Sequence, residues 1–206
     1  MNNKPIDINQ RIPLETLHVA LESYLNDTYS DDYILEQLRL HFSGENRLKK
    51  SLRIVKKITS NNRIIALVNS NKAEILSALK SKTDRNVILI ALLNSSFVFS
   101  FDLLSILGKL FKVQDIINRE TLTREISKIY GSNRALPNAI DSVIPMYLNA
   151  GFFIRPKLAL YQFHDKMNIT SEITRKIYIE SYKVNNSISV IQDYQLMEPY
   201  FEFIIM

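Results

Sequence analysis

The chain predicts an all-α, mostly helical protein with a small β-hairpin. Three observations carry that prediction. Only four of its 206 residues are glycine, and β-branched alternation is confined to short stretches. Apolar side chains recur at helical spacing through most of the chain. Hydrophobic residues make up 46%, which excludes general disorder and supplies a buried core.

The first helix is expected from Pro13, with Leu14, Leu17, His18, Leu21, Tyr24 and Leu25 along one side. His18 falls on that apolar face, where a packed core histidine is the ordinary role. Ser30 is placed to cap a second helix, and Asp31 and Asp32 in its first turn favour the positive end of the helix dipole. Ile34, Leu35, Leu38 and Phe42 supply its core side. The third helix, Glu45 to Thr59, has a narrow apolar stripe of Leu48, Leu52, Val55 and Ile58. Arg47, Lys49, Lys50, Arg53, Lys56 and Lys57 cover most of the rest, and Lys49, Arg53 and Lys56 share a face. Like charges so spaced repel by a few tenths of a kcal/mol per pair, roughly, a cost that phosphate binding would explain and a solvated surface helix would merely tolerate.

Arg63 to Val68 reads as a short helical piece, and Asn71 with Glu74 opens another through Lys80. Thr83 or Asp84 is the expected cap of a buried helix starting near Arg85. From Asn86 to Phe101 there are 16 residues without a charge, fewer than the ~20 of a membrane helix, and Asn94-Ser95-Ser96 interrupts them. A buried helix breaking near Ser95 is expected, with no membrane span. Phe101 to Phe111 follows as a helix, and Gln114 to Glu120 as a link.

From Thr121 to Phe163 the pattern is helix, polar turn, helix, hairpin. Leu122 to Tyr130 is capped by Thr121 and ended by Gly131. The turn is Ser132-Asn133-Arg134-Ala135. Leu136 to Ala150 follows, with Pro137 in its first turn and Pro145 expected to kink it or end it early. Phe152 to Ile154 and Leu158 to Tyr161 read as two strands around Arg155-Pro156-Lys157. This is the layout of a winged helix-turn-helix, in which the N-terminal end of the second helix faces base edges. Asn133, Arg134 and Asn138 suit bases or phosphates, and Arg155 and Lys157 at the wing suit a neighbouring phosphate. Asp141 counts against a standard recognition helix. The same pattern also serves for protein docking or ordinary helical packing.

Beyond the wing, His164-Asp165-Lys166 is a turn and Ser171 caps Glu172 to Lys183. Ile188 to Leu196 fits strand or helix. Tyr200 to Met206 is an aromatic and apolar tail, suited to its own core, a partner, or self-association with a second copy. The expected organisation is a basic N-terminal helical bundle over residues 1–85, then a winged-helix-like C-terminal part with further helices over 86–206, packed as one compact unit.

Net charge is +5. Residues 1–42 hold three basic and seven acidic side chains, residues 43–85 eleven and three, and residues 86–206 twelve and eleven. The basic excess is therefore local, as at a polyanion site. There is no cysteine, hence no disulfide and no thiolate metal site. The N-terminal residues have no apolar signal region, so the cytoplasm is the expected compartment. No phosphate loop, nucleophile elbow, zinc-protease motif or calcium loop is present. Glu120, Glu125 and Asp141 form no acid–base pair. The His164-Asp165 doublet lacks the further ligands of a metal-dependent phosphohydrolase. No catalytic role, cofactor or metal is expected.

Several stretches resemble the BrxA family of the BREX phage-defence systems. They are the helical pair Leu14 to Phe42, Asn46-Arg47…Ser51-x-Arg53, the Phe-x-Phe-Asp of Phe99 to Asp102, and Ile144-x-x-Tyr147-Leu148-x-Ala150-Gly151-Phe152. The resemblance implies a NusB-like N-terminal bundle, a winged-helix-like part, and a non-enzymatic accessory role on double-stranded DNA beside other defence-system proteins. A NusB-like bundle would also admit RNA. The reading that follows is a DNA-binding protein acting mainly on phosphates through Arg47, Lys49, Lys50, Arg53, Lys56, Lys57, Asn133, Arg134, Asn138, Arg155 and Lys157. The alternatives are a protein-docking subunit, with the basic helix meeting an acidic surface, and a single-stranded RNA binder, for which the basic helix lacks interleaved aromatics.

Overall fold

The computed structural model describes residues 4–131 and 133–206; Ser132, in the expected turn, lies outside the described residues. The helices are α1 (Leu14–Leu25), α2 (Asp31–Arg39), α3 (Glu45–Thr59), α4 (Ile65–Ser70), α5 (Lys72–Ala78), α6 (Lys82–Ser96), α7 (Val98–Phe111), α8 (Arg119–Tyr130), α9 (Leu136–Ala150) and α10 (Glu172–Asn186). Two short strands, β1 (Ile116–Asn118) and β2 (Leu160–Gln162), pair antiparallel. Two 3₁₀ segments, Asp193–Met197 and Pro199–Phe203, precede the C-terminal residues. Among the described residues the protein is thus mostly helical with a small antiparallel sheet.

The organising element is α6. Every residue from Asn86 to Phe97 is buried, because α1, α3, α7, α9 and α10 surround the helix. The uncharged run makes this possible, and its polar residues explain where it breaks. At Phe97 the chain turns by 120° into α7. Such a turn orphans the last carbonyls of one helix and the first N–H groups of the next. Ser96 Oγ donates to Leu92 O (2.9 Å) and Lys57 O (2.7 Å), and Ser100 Oγ donates to Phe97 O (2.8 Å). Asn62 is the hub beside them: its amide donates to Ile58 O, Leu92 O and Ser96 Oγ, each at 2.8 Å, and accepts from Ser95 Oγ at 2.7 Å. The break near Ser95 is where the sequence placed it. Among the described residues no single helix is long and apolar enough to cross a membrane.

The start of α6 differs from expectation. Ser81 is the cap, accepting from Asp84 N–H at 3.4 Å, and neither Thr83 nor Asp84 has that role. Asp84 instead reaches across to the N-terminus of α10, accepting from Thr170 Oγ1 (2.8 Å), Thr170 N–H (3.3 Å) and Ser171 N–H (3.1 Å). This anchors α10 on α6. Because α10 packs on α5 and α6, it closes the N-terminal bundle, and packing does not divide the chain at residue 85. One continuous core runs from Ile8 to Ile204.

The tail is part of that core. Tyr200, Phe201, Phe203 and Ile204 are buried, with Pro199–Phe203 lying along α7. Tyr200 stacks on Tyr178 with centroids 4.5 Å apart and accepts from Asn94 Nδ2 at 3.3 Å. Met167 N–H donates to Phe203 O (2.8 Å) and Ile205 N–H to Met167 O (3.0 Å). Self-association through Tyr200–Met206 is therefore corrected: most of the tail's apolar side chains are spent inside the molecule.

Candidate nucleic-acid interface

Two surfaces carry the cations singled out from the sequence. The first is α3. Leu48, Ser51, Ile54, Val55, Ile58 and Thr59 face inward, which fixes the opposite side toward solvent. Lys49, Lys50 and Arg53 are exposed there, with no carboxylate partner among the described residues. Arg47 lies over the Phe42 ring, 4.7 Å from its centroid. The other two cations behave differently. Lys56 pairs with Asp31 at 2.7 Å, and Lys57 pairs with Asp7 and lies over Phe97, 4.3 Å from its centroid. Both are half-buried and already engaged, so as free phosphate contacts Lys56 and Lys57 are corrected. They tie α2 and the N-terminal segment to α3.

The second surface is the helix, turn, helix and hairpin that the sequence pattern reads as winged. Its element order is α7, β1, α8, α9, a bridge at Ile154, then β2. The link expected over Gln114 to Glu120 thus contains a strand, and Ile117 and Tyr161 face each other across it, both buried. Phe152 to Ile154 reduces to the single bridge Ile154↔Gln162, and the second strand starts at Leu160, not Leu158. Asn118, not Thr121, caps α8: its Oδ1 accepts from Thr121 N–H at 2.7 Å. Asn is as good a cap as Thr, and the strand before it sets the start.

Within the turn, Asn133 Oδ1 accepts from Ala135 N–H at 3.0 Å. That shapes the backbone of the turn and leaves the Asn133 amide N–H groups out of this bond. Arg134 is exposed beside it and Asn138 is exposed on the first turn of α9. Pro145 does not end α9, which continues to Ala150. The carbonyl four residues before it belongs to Asp141, an exposed residue, where water can take the missing bond. Of α9's residues only Pro137, Asn138, Asp141 and Asn149 are exposed. A groove could meet only the N-terminal end of this helix.

Asp141 is occupied too. It pairs with Arg119 Nη1 at 2.6 Å, while Arg119 N–H donates to Ala159 O at 2.8 Å. The hydrogen bond to Asp141 raises the guanidinium's pKa further. Arg119 therefore holds together α8, α9 and the base of the wing. Sequence reasoning placed it in a link and missed it; no local pattern announces a partner 22 residues away. Arg155 and Lys157 are exposed at the wing with no carboxylate partner among the described residues. Burial raises the pKa of the Tyr161 hydroxyl, and Arg119 and then Arg155 oppose that rise.

The two surfaces are linked by the N-terminal segment. Asp7 pairs with Lys57 of α3, and Lys4 pairs with Asp102 of α7 at 2.8 Å. Asp102 also accepts from Tyr130 Oη, at the end of α8, at 2.8 Å. The turn bearing Arg134 follows directly. Elsewhere, among the described residues no three His, Asp or Glu side chains gather as metal ligands. His164 and Asp165 lie 2.5 Å apart on the surface, and His18 sits beside Glu22 at 4.0 Å. Burial, and then Arg85, lower the pKa of His18. Comparison of the chain with protein-family models, with curated proteins and with solved structures gives no match.

Proposed function

We propose that this protein is a non-catalytic accessory protein that binds double-stranded DNA mainly through its phosphates. The observation that carries the reading is the exposure of six cations singled out from the sequence. Lys49, Lys50 and Arg53 on α3, Arg134 at the turn, and Arg155 and Lys157 at the wing are all exposed without a carboxylate partner among the described residues. Phosphate contacts hold register and supply affinity, whereas base edges supply specificity. With α9 exposing little beyond Asn138, the expected sequence preference is weak. The resemblance to BrxA proteins supports placing this activity in a phage-defence system, beside that system's other proteins. A labelled random duplex titrated with protein at low salt tests the reading by fluorescence anisotropy. Micromolar or tighter binding is expected, and a flat titration would sink it.

One observation favours protein docking as the second reading. Ile116 and Ile154 flank Gln162 on the outer face of the small sheet, 49% and 42% exposed. An Ile116→Lys/Ile154→Lys variant that keeps duplex affinity but loses a partner in a defence-protein pull-down would support a docking role for that face.

A further inference from the structure

The wing ends in a feature that phosphate contacts alone do not use. Ile154 N–H donates to Gln162 O and Gln162 N–H to Ile154 O, both at 2.9 Å, which closes the hairpin. At its end Leu160 N–H donates to Lys157 O at 3.1 Å, making Lys157–Leu160 a tight turn. Ala159 has φ +62°, and Leu158 is not among the positive-φ residues. A left-handed residue at the third position alone makes this a type II turn, where glycine or asparagine is the ordinary occupant. An alanine there is strained, and such strain is retained where the surroundings fix it, commonly at functional segments.

That turn puts Leu158 at its second position, 83% exposed. Single exposed apolar residues are common and need no explanation by themselves. This one stands at the apex of a hydrogen-bonded hairpin, next to Lys157, with Arg155 and Pro156 one step behind and all three exposed. Side chains of this kind, an apolar wedge flanked by cations, are what minor-groove proteins press between base steps while neighbouring charges hold the phosphates. An arm beside a major-groove helix end reaches the adjacent minor groove.

We infer that Leu158 is a minor-groove wedge, with Arg155 and Lys157 on the flanking phosphates, and that the protein bends the duplex it binds. This rests on the duplex binding proposed above. The cost of unstacking is lowest at flexible pyrimidine–purine steps, so sites with a central TA step are favoured over G·C-only sites.

The test uses the full chain and a 30-base-pair duplex, labelled at both ends, with anisotropy and end-to-end energy transfer read together. The expected result is binding with a rise in energy transfer corresponding to a bend of about 20–90°. Leu158→Ser, a surface change that leaves the fold intact, removes the bend and weakens binding by roughly tenfold, about the worth of one buried leucine. Leu158→Met retains both. Lys157→Gln keeps the bend and lowers the salt slope by about one. Binding without a bend, or a bend that Leu158→Ser retains, overturns the wedge and leaves duplex binding standing. Absence of any duplex binding overturns both. Loss of self-association in Leu158→Ser, with bending unchanged, would assign the leucine to contact between copies and also overturns the wedge.

Discussion

Asp84 shows how a single residue can do work that its sequence context hides. Burial by itself would raise its pKa, yet the hydrogen bonds from Thr170 and Ser171, with others nearby, outweigh that and hold it below the ordinary carboxylate range. A depressed folded-state pKa means the unfolded chain binds the proton more readily. The stabilisation is therefore present above the unfolded pKa of about 3.9 and is lost as pH falls toward the folded value. Asp84→Asn is expected to cost about 1–3 kcal/mol at pH 7 and progressively less as pH falls below the unfolded value of about 3.9, as read by urea unfolding at neutral and at acid pH. An equal cost at both would contradict the assignment. Ala159 gives a change of opposite sign. Relief of its left-handed strain makes Ala159→Gly stabilising by up to about 1 kcal/mol in urea unfolding, and a loss of stability would contradict the strain. Neither role was legible in the sequence: Asp84 looked like a local cap, and its partners lie 86 and 87 residues away.

At the scale of elements, legibility followed the range of the interaction. The amphipathic α3 and the break after α6 rest on local spacing and local polar residues, and both were readable. β1 was not, because three residues carry no alternation and their partner strand is 44 residues on. α9 was readable as a helix but not as a mostly enclosed one. Ala139, Ser142 and Met146, small or ambiguous in pattern, are buried because α6, α7 and α8 take faces that a single apolar stripe does not announce. The docked tail yields a prediction at this scale. Pro199 lies against Gly108 of α7, and a Cβ there would collide with the Pro199 carbonyl. Backbone cannot swing aside as a side chain can, so Gly108→Ala should cost at least the upper part of the ~1–3 kcal/mol typical of overpacking. Limited proteolysis should show cleavage near Leu196–Pro199 in the variant but not in the parent; equal resistance would mean that α7 and the tail adjust freely.

For the whole molecule the charge map needs the fold to be interpreted. The acidic first 42 residues and the basic stretch after them looked like separate features. They partly cancel, since Asp7 and Asp31 take Lys57 and Lys56. Exposed cations without a carboxylate partner among the described residues remain on several faces, Arg11, Lys80, Lys82, Lys109 and Lys176 among them; those of α3, the turn before α9 and the hairpin are the ones proposed to meet DNA. Six phosphates neutralised on B-DNA correspond to a slope of about −5 in log K against log salt. The single measurement that tests the central claim is that slope, by fluorescence anisotropy on a random duplex, for the parent chain, Lys49→Glu/Lys50→Glu/Arg53→Glu, and Arg134→Ala. A steep slope is expected in the parent, about half of it in the triple variant, and a loss of about one in Arg134→Ala. A parent that fails to bind at low salt, or a slope that the triple variant leaves unchanged, would contradict it.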